Sequence, residues 1–452
     1  MTRNILNLRS YDVTDVHEDE HDYQISANSI HAPVACSYCQ SSNLIGFGRR
    51  EQLINDLPIH GKRVGIYVNA RRMKCRSCNK TFTEELPDID TSHKMTQRLV
   101  KWIGEQSINR TFISVAEEVG IAESTVRTIF RNYINQLEEQ IRFETPKWMG
   151  IDEIHIIKKP RCVISNIEHN TAVEVLSDRT KKTVMNYLQR LENRDKVRYV
   201  AMDMWKPYRD AIQSVLPDAT IVIDKFHVVR MANDALEKIR KEHRSQLNQK
   251  QRRGLMRERF VLLKRRHALN QEEAFRLDGW SSNYPILGAA YDAKEAFYGI
   301  WDLDTRGEAE SAYEIWKNGL PTEIRPAYHD LIRAVDNWHE HVFSYWDHPV
   351  TNAYTESLNN LIRVMNRLGR GYSFEALRAK ILFTQGIHKT KKPTFERKGR
   401  RSLPPNAAVL EKSMMMDYSI LNMERSTPDD QQEKNYGADI STLADLIERE
   451  LL

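Results

Sequence analysis

The 452-residue chain has no uninterrupted apolar run of about 18 residues, so no membrane-spanning helix is expected. Its first residues, Met1-Thr2-Arg3-Asn4-Ile5-Leu6, lack the apolar core of a secretory signal, which places the expected location in the cytoplasm. Cysteine is scarce: there are five, and in that compartment they do not form a disulfide framework. Net charge is also small, 67 Lys and Arg against 62 Asp and Glu for +5, so the distribution of charge matters more than its total. Residues 240–266 and Lys389–Arg401 are dense in Lys and Arg, whereas 14–22 and 428–450 are acidic. A basic middle between acidic ends points to a polyanionic partner.

The few cysteines are not scattered. Four fall in two CxxC pairs, Cys36-Ser37-Tyr38-Cys39 and Cys75-Arg76-Ser77-Cys78. Each pair can form a tight knuckle offering two thiolates, and two knuckles complete a tetrahedral, closed and therefore structural Zn²⁺ site. The strand signal Val64-Gly65-Ile66-Tyr67-Val68 lies between them, and Lys74, Arg76 and Lys80 beside the second knuckle suit a nucleic acid. Cys162, in a predicted strand, reads as a small buried hydrophobe. Residues 1–30, polar and acidic with little periodicity, read as a loosely ordered arm ahead of a zinc module at 31–90.

Residues 91–145 read as helical, and Val115–Phe130 fits a helix-turn-helix. Ala116 is small where two helices touch, Gly120 supplies the turn, and Val126 and Ile129 face inward. Glu123, Ser124, Thr125, Arg127 and Thr128 point outward, where DNA contacts are made; Arg131, one turn further on, belongs with them.

From residue 146 the pattern changes to short strands. Trp148-Met149-Gly150-Ile151-Asp152-Glu153-Ile154-His155 sets a carboxylate inside apolar, β-prone sequence, which is costly unless the carboxylate is paired or holds a metal. Val197–Trp205 repeats the pattern with Asp203, and Ile221–His227 repeats it with Asp224. The expected order is strands at 148–157, 161–167 and 171–177, a helix at 180–192, a strand at 197–203, a helix at 206–215 and a strand at 219–224. A meander followed by alternating helices and strands implies a mixed sheet of the ribonuclease-H-like kind. In that order Asp152 and Asp203 fall on the first strand and on its neighbour, the fourth. Residues 231–345 are mostly helical, with Trp280, Trp301, Trp316 and Trp338 at core-like spacing. Around 351–363, Asn352, Glu356, Asn359 and Asn360 share one side of a helix, as a third metal ligand requires, while Leu358, Leu361 and Ile362 can pack on the sheet. The basic, glycine-containing break that follows, with Arg367 and Arg370, suits a phosphate. After Pro404-Pro405 comes an acidic tail with an amphipathic helix expected at 440–451.

In this order the two CxxC pairs, the helix-turn-helix, Gly150-Ile151-Asp152-Glu153, Ala201-Met202-Asp203-Met204-Trp205, Asp224-Lys225-Phe226-His227 and Asn352–Glu356–Asn359 resemble the ISL3 family of bacterial insertion-sequence transposases, over about residues 31–388. The acidic extension after residue 400 is outside the family pattern. The resemblance implies a multidomain α+β chain. Its parts are a polar arm (1–30), a zinc-ribbon-like module (31–90), a helix-turn-helix domain (91–145) and a ribonuclease-H-like core in two parts (146–230 and 346–400), which is split by an all-helical insertion (231–345) and followed by a tail (401–452). It implies a DDE triad of Asp152, Asp203 and Glu356 holding Mg²⁺ or Mn²⁺, with Asp224 and His227 as accessory residues. Asp224 then reads as support for the strand end, His227 as a group that positions phosphate, and Glu153, on the opposite side of its strand, as structural. The implied partners are the terminal inverted repeats, recognised by the zinc module and the helix-turn-helix, and target DNA, bound by a homodimer or larger assembly at the bacterial nucleoid, with Arg252 and Arg253 of the insertion and the 389–401 stretch holding phosphates. Two other functions fit parts of the pattern. A zinc and helix-turn-helix transcription regulator would bind DNA regardless of Asp152, and a nuclease of the same fold would cut without joining.

Overall fold

From Tyr11 onward the chain folds into a sheet. The computed structural model describes residues 6–140, 145–245 and 247–386. The basic stretch Lys389–Arg401 and the tail with its expected helix lie outside the described residues. Within them β1 (Tyr11–Glu18) and β2 (Asp22–Ser29) form an antiparallel hairpin, so most of the segment expected to be a loose arm is ordered. The reason is local: Tyr11, Ile25 and Ala27 are buried in a cluster with Ile54, Val64, Ile66 and Val68, which a polar composition conceals.

The chain divides into two compact units. Of the described residues, the first comprises those within 6–197, 210–217 and 355–386, and the second those within 198–209 and 218–354. In the first unit the N-terminal sheet runs β1-β2-β4-β3-β7-β6, with β5 on β4. Its long members are β3 (Leu44–Ile59) and β4 (Lys62–Cys75); β5 (Thr81–Thr83), β6 (Ile89–Asp90) and β7 (Met95–Thr96) are short. The β3–β4 turn is His60-Gly61, both residues at positive φ (54° and 79°), as a two-residue hairpin matched to strand twist requires.

Three helices follow: α1 (Gln97–Asn109), α2 (Phe112–Val119) and α3 (Glu123–Gln140). Thr96 caps α1 and also donates to Asp56 Oδ1 (2.6 Å) on β3, so the same residue fixes the helix start to the sheet. Gly120 ends α2 in the left-handed region at φ 76°, where a side chain would meet Arg63. Ala116, Val126 and Ile129 are buried between helices, as their spacing predicts.

The strands β8 (Trp148–Ile156), β9 (Lys159–Asn166) and β10 (Thr171–Leu176) form an antiparallel meander. Next come α4 (Lys181–Arg190), β11 (Tyr199–Met202), α5 (Lys206–Val215) and β12 (Thr220–Ile223), the succession of elements of a ribonuclease-H-like core. In the second unit β11 and β12 pair in parallel, Tyr199 opposite Thr220 through Met202 opposite Ile223. Its remainder is all helix: α6 (Lys225–Ser245), α7 (Gln249–Arg257), α8 (Arg259–Leu263), α9 (Gln271–Asn283), α10 (Pro285–Ile300), α11 (Arg306–Gly319), α12 (Arg325–Asn337) and α13 (His339–Asp347). Aromatic side chains fill this insertion. Trp301, Trp316 and Trp338 are buried, while Trp280 is half-buried and stacked on Tyr284 at 5.3 Å. Lys294 is buried there too. Its ammonium donates to the carbonyls of Leu262, Leu263 and Lys264 at the end of α8, and burial pushes its pKa down to about 8. The chain then returns to the first unit with α14 (Ala353–Leu368) and α15 (Phe374–Gln385).

Candidate functional site

The centre of the first unit is the contact of α14 with β8. The apolar flanks of β8 bury Asp152, which is only 3% exposed. Both its oxygens accept hydrogen bonds: Oδ1 from the Glu153 backbone N–H (2.6 Å) and Oδ2 from the Asn359 side-chain amide (2.6 Å). Asn359 and Glu356 lie three residues apart on α14, hence on one face of the helix. That spacing brings Glu356, 6% exposed, to Asp152, and their carboxylate oxygens lie within 4.8 Å of each other. Ser165 on β9 and Thr355 share a 2.6 Å hydroxyl–hydroxyl bond that seats the same turn of the helix.

Two buried carboxylates this close repel each other, and desolvation penalises both charges. They are also hard oxygen donors, the set that Mg²⁺ or Mn²⁺ prefers. The residues therefore fit a divalent cation. Spacing puts Asn359 on the same helix side as Glu356, but nothing in the sequence pattern shows that its amide grips Asp152. Leu361, expected on the sheet, is 37% exposed, because the packed stripe runs through Thr355, Leu358, Asn359 and Ile362 instead. Glu153 points away from Asp152 and is paired with Arg179, a structural contact.

In the second unit Asp203 follows β11 and is half-buried, and His227 Nε2 lies 2.6 Å from its Oδ1. Asp224 follows β12. It is fully buried; its backbone N–H bonds the Met202 carbonyl (3.0 Å) and its Oδ1 accepts from the Phe226 N–H (3.3 Å). Asp224 thus stitches β12 to β11 and caps the start of α6, which in turn fixes His227 one turn along.

The four cysteines converge. Cys36 and Cys78 sulfurs are 3.7 Å apart, Cys39 and Cys75 sulfurs 3.6 Å, and all four lie within 4.8 Å of one another. A tetrahedron of ~2.3 Å Zn–S bonds places its sulfurs ~3.8 Å apart, so the cage fits zinc. The two knuckles are built alike. Gln40 N–H bonds the Cys36 carbonyl and Asn79 N–H bonds the Cys75 carbonyl, both at 2.9 Å, and Gln40 and Asn79 both have positive φ (58° and 65°). The Cys78 and Ser77 backbone N–H groups pull the Cys75 thiol down to about 6, toward the thiolate a metal needs.

On α3 the outward residues divide. Ser124, Thr128 and Arg131 are exposed, and so are Asn132 and Asn135 further along the stripe. Thr125 is half-buried. Arg127 is held by Glu123 (2.6 Å), lies 5.1 Å from the Phe112 ring centroid, and donates to the Gly371 carbonyl (3.4 Å). Arg127 therefore ties α3 to the segment between α14 and α15. Lys380 of α15 does the same from the other side. Its ammonium donates to the carbonyls of Ser107 and Arg110 (2.8 Å to the latter) and faces the rings of Phe112, Phe130 and Tyr372. Arg367, in the last turn of α14, and Arg370, just after it, are exposed. In the insertion, Arg252 and Arg253 line a cavity of about 390 Å³ with Lys241 and Arg244. Arg252 is fixed there by the carbonyls of Arg244 (3.1 Å) and Ser245 (2.6 Å). Among the described residues no helix is long and apolar enough to cross a membrane.

Three family profiles match the chain in sequence order. Residues 32–78 match the zinc-finger of transposase IS204/IS1001/IS1096/IS1165, residues 84–134 match the helix-turn-helix domain of transposase family ISL3, and residues 149–381, just over half of the chain, match the ISL3 DDE transposase profile. Among curated proteins, the chain is similar to the transposase for insertion sequence element IS1001 of Bordetella parapertussis, 24% identical over 327 residues, covering 71% of this chain and 80% of that protein. It is also similar to the transposase for insertion sequence element IS1557 of Mycobacterium tuberculosis, 24% identical over 309 residues, covering 62% and 69%.

Proposed function

Since the chain belongs to the ISL3 family of DDE transposases, we propose that it binds the terminal inverted repeats of an insertion sequence, cleaves the DNA at the element's ends and joins those ends to target DNA. The observation that carries this reading is the buried Asp152–Glu356 pair, whose carboxylate oxygens lie within 4.8 Å of each other and offer hard donors to a divalent cation. Asp152, Asp203 and Glu356 would hold the divalent cations, which when bound would supply charge neutralisation at the phosphate and activation of the attacking oxygen.

The chain's own residues do the rest. Asn359 and the Glu153 N–H hold the Asp152 carboxylate as an acceptor in one orientation. His227, braced against Asp203, positions the scissile phosphate, and Asp224 supports it as the cap of α6. The α3 stripe of Ser124, Thr128 and Arg131, with Thr125 at its margin, reads the repeat. Arg252, Arg253, Arg367 and Arg370 contact phosphates without sequence preference. Arg127 acts by holding α3 in place. Two ends must be paired before joining, so the working form is a dimer or larger assembly on DNA, at the nucleoid.

The test is incubation with duplexes carrying the element's ends, in Mg²⁺ and in EDTA. The expected result is Mg²⁺-dependent end cleavage followed by joined product. Cleavage without joining supports a nuclease instead, and binding without cleavage supports a regulator.

A further inference from the structure

The zinc cage leaves unexplained the surface that surrounds it. Residues 32–50 and 69–83, which form the knuckles and the adjoining half of the β3–β4 ribbon, contain seven Lys or Arg and no Asp or Glu. That excess outweighs the two negative charges a four-thiolate zinc site carries. Arg71 is paired with Glu84. The other six, Arg49, Arg50, Arg72, Lys74, Arg76 and Lys80, take part in no ion pair among the described residues.

The ribbon here is also bent in a specific way. Gly46 pairs with Met73 and Arg49 with Arg71, so Phe47 and Gly48 stand opposite Arg72 alone, which is a β-bulge. Gly48 takes φ 97°, and no neighbouring atom lies within 4 Å of where a side chain would start at Gly46 or Gly48. The bulge turns Phe47 out of the sheet, 49% exposed, with the Arg72 guanidinium 5.4 Å from its ring centroid. A similar pair stands on the knuckles, where Lys80 Nζ lies 4.5 Å from the ring centroid of exposed Tyr38. Nothing in the N-terminal core needs Phe47 there: the buried cluster uses the other half of the ribbon, from Ile54 to Ala70. Here β5 pairs with β4 from Lys74 to Arg72, so Phe47 stands on the free edge strand of a three-stranded sheet end, and an exposed aromatic flanked by open glycines and by cations outside any ion pair suits contact with a duplex.

We propose that the zinc-proximal half of the β3–β4 ribbon is a second duplex-DNA-contacting element. Phe47 makes the apolar contact at the groove, and Arg49, Arg50, Arg72, Lys74, Arg76 and Lys80 contact phosphates. The inference rests on the reading that the chain binds DNA through α3 and the zinc module, and it names the surface by which the module takes part, the bulged ribbon with Phe47, whose end the cage then serves to hold rigid.

The test uses the full-length, zinc-loaded protein and labelled duplex DNA taken from either flank of its own gene. Binding is measured across a salt series, with hydroxyl-radical footprinting alongside. Phe47→Ala is expected to weaken binding about tenfold. Arg49→Ala with Arg50→Ala is expected to lower the slope of log affinity against log salt by about 2 and to shorten the footprint at one edge. Zinc content and circular dichroism identify any variant that has failed to fold, and Phe47→Trp, which keeps an aromatic, should restore binding and report DNA by a fluorescence change. If affinity, slope and footprint are unchanged in folded ribbon variants while Arg131→Ala weakens binding, the ribbon proposal is overturned and the α3 reading stands. If the ribbon variants weaken binding and Arg131→Ala does not, the ribbon stands and the α3 reading fails.

Discussion

Asp152 and Asn359 are 207 residues apart in the chain and 2.6 Å apart in space. Their bond explains how a carboxylate is kept buried and oriented on an apolar strand. It also gives two opposed expectations. Asp152→Asn removes one of two neighbouring buried charges, so metal-free protein should melt at a higher temperature while end cleavage is lost and DNA affinity is kept. Scanning calorimetry in EDTA and a cleavage assay read the two effects, and a fall in melting temperature would contradict the repulsion argument. Asn359→Ala leaves Asp152 Oδ2 without its donor, at a cost of about 1–3 kcal/mol. Urea melts should show that loss, and Mn²⁺ titration by calorimetry should show weaker binding than in the parent protein.

At the scale of elements, the helix-turn-helix is fastened to α15 as well as to the zinc-bearing sheet. Arg127 and Lys380 are the fasteners, and each has a distinguishing measurement. Arg127→Ala should lower stability more than DNA affinity, whereas Arg131→Ala should lower affinity and leave stability within about 0.5 kcal/mol. Equal loss of affinity in both would place Arg127 on the DNA after all. Burial pushes Lys380 from 10.5 down to about 7. Its folded pKa is below its unfolded one, so between about 7 and 10.5 the unfolded chain binds more protons and stability from this group rises with pH. Below about 7 both states are protonated and the cost of burying the charge is present in full. Melting temperatures recorded across this range should rise less steeply in Lys380→Met, and identical slopes in the two proteins would refute the assignment.

For the whole molecule, the proposed joining reaction requires that two DNA ends meet first. Sedimentation of the protein with end-bearing duplexes in Ca²⁺, which permits binding of a hard cation, should reveal complexes holding two or more protein chains and two ends. A complex of one chain and one end that still yields joined product would exclude the paired assembly. The chain's modest net charge of +5 fits such an assembly, since the cations are gathered on separate surfaces such as the zinc ribbon and the Arg252 cavity.

Much of this organisation is legible in one dimension because its signals are local. The two CxxC pairs, the Gly120 turn with Ala116, Val126 and Ile129, the acid inside β8 and the acids that follow β11 and β12 depend on spacing and periodicity, which survive without coordinates. The strand and helix order of the core follows from the same periodicities. What periodicity cannot encode is a partner far along the chain. It put Arg127 on the outer face of α3 but could not show that Gly371 and Phe112 wait there. It grouped Asn359 with Glu356 but not with Asp152. It took the polar hairpin of β1 and β2 for a loose arm, because a strand completed by neighbours in a sheet needs only a few apolar residues of its own. The sequence by itself determined which chemistry this protein carries; packing decided which side chains hold that chemistry in place, because desolvation and hydrogen-bond satisfaction act between elements that only the folded chain brings together.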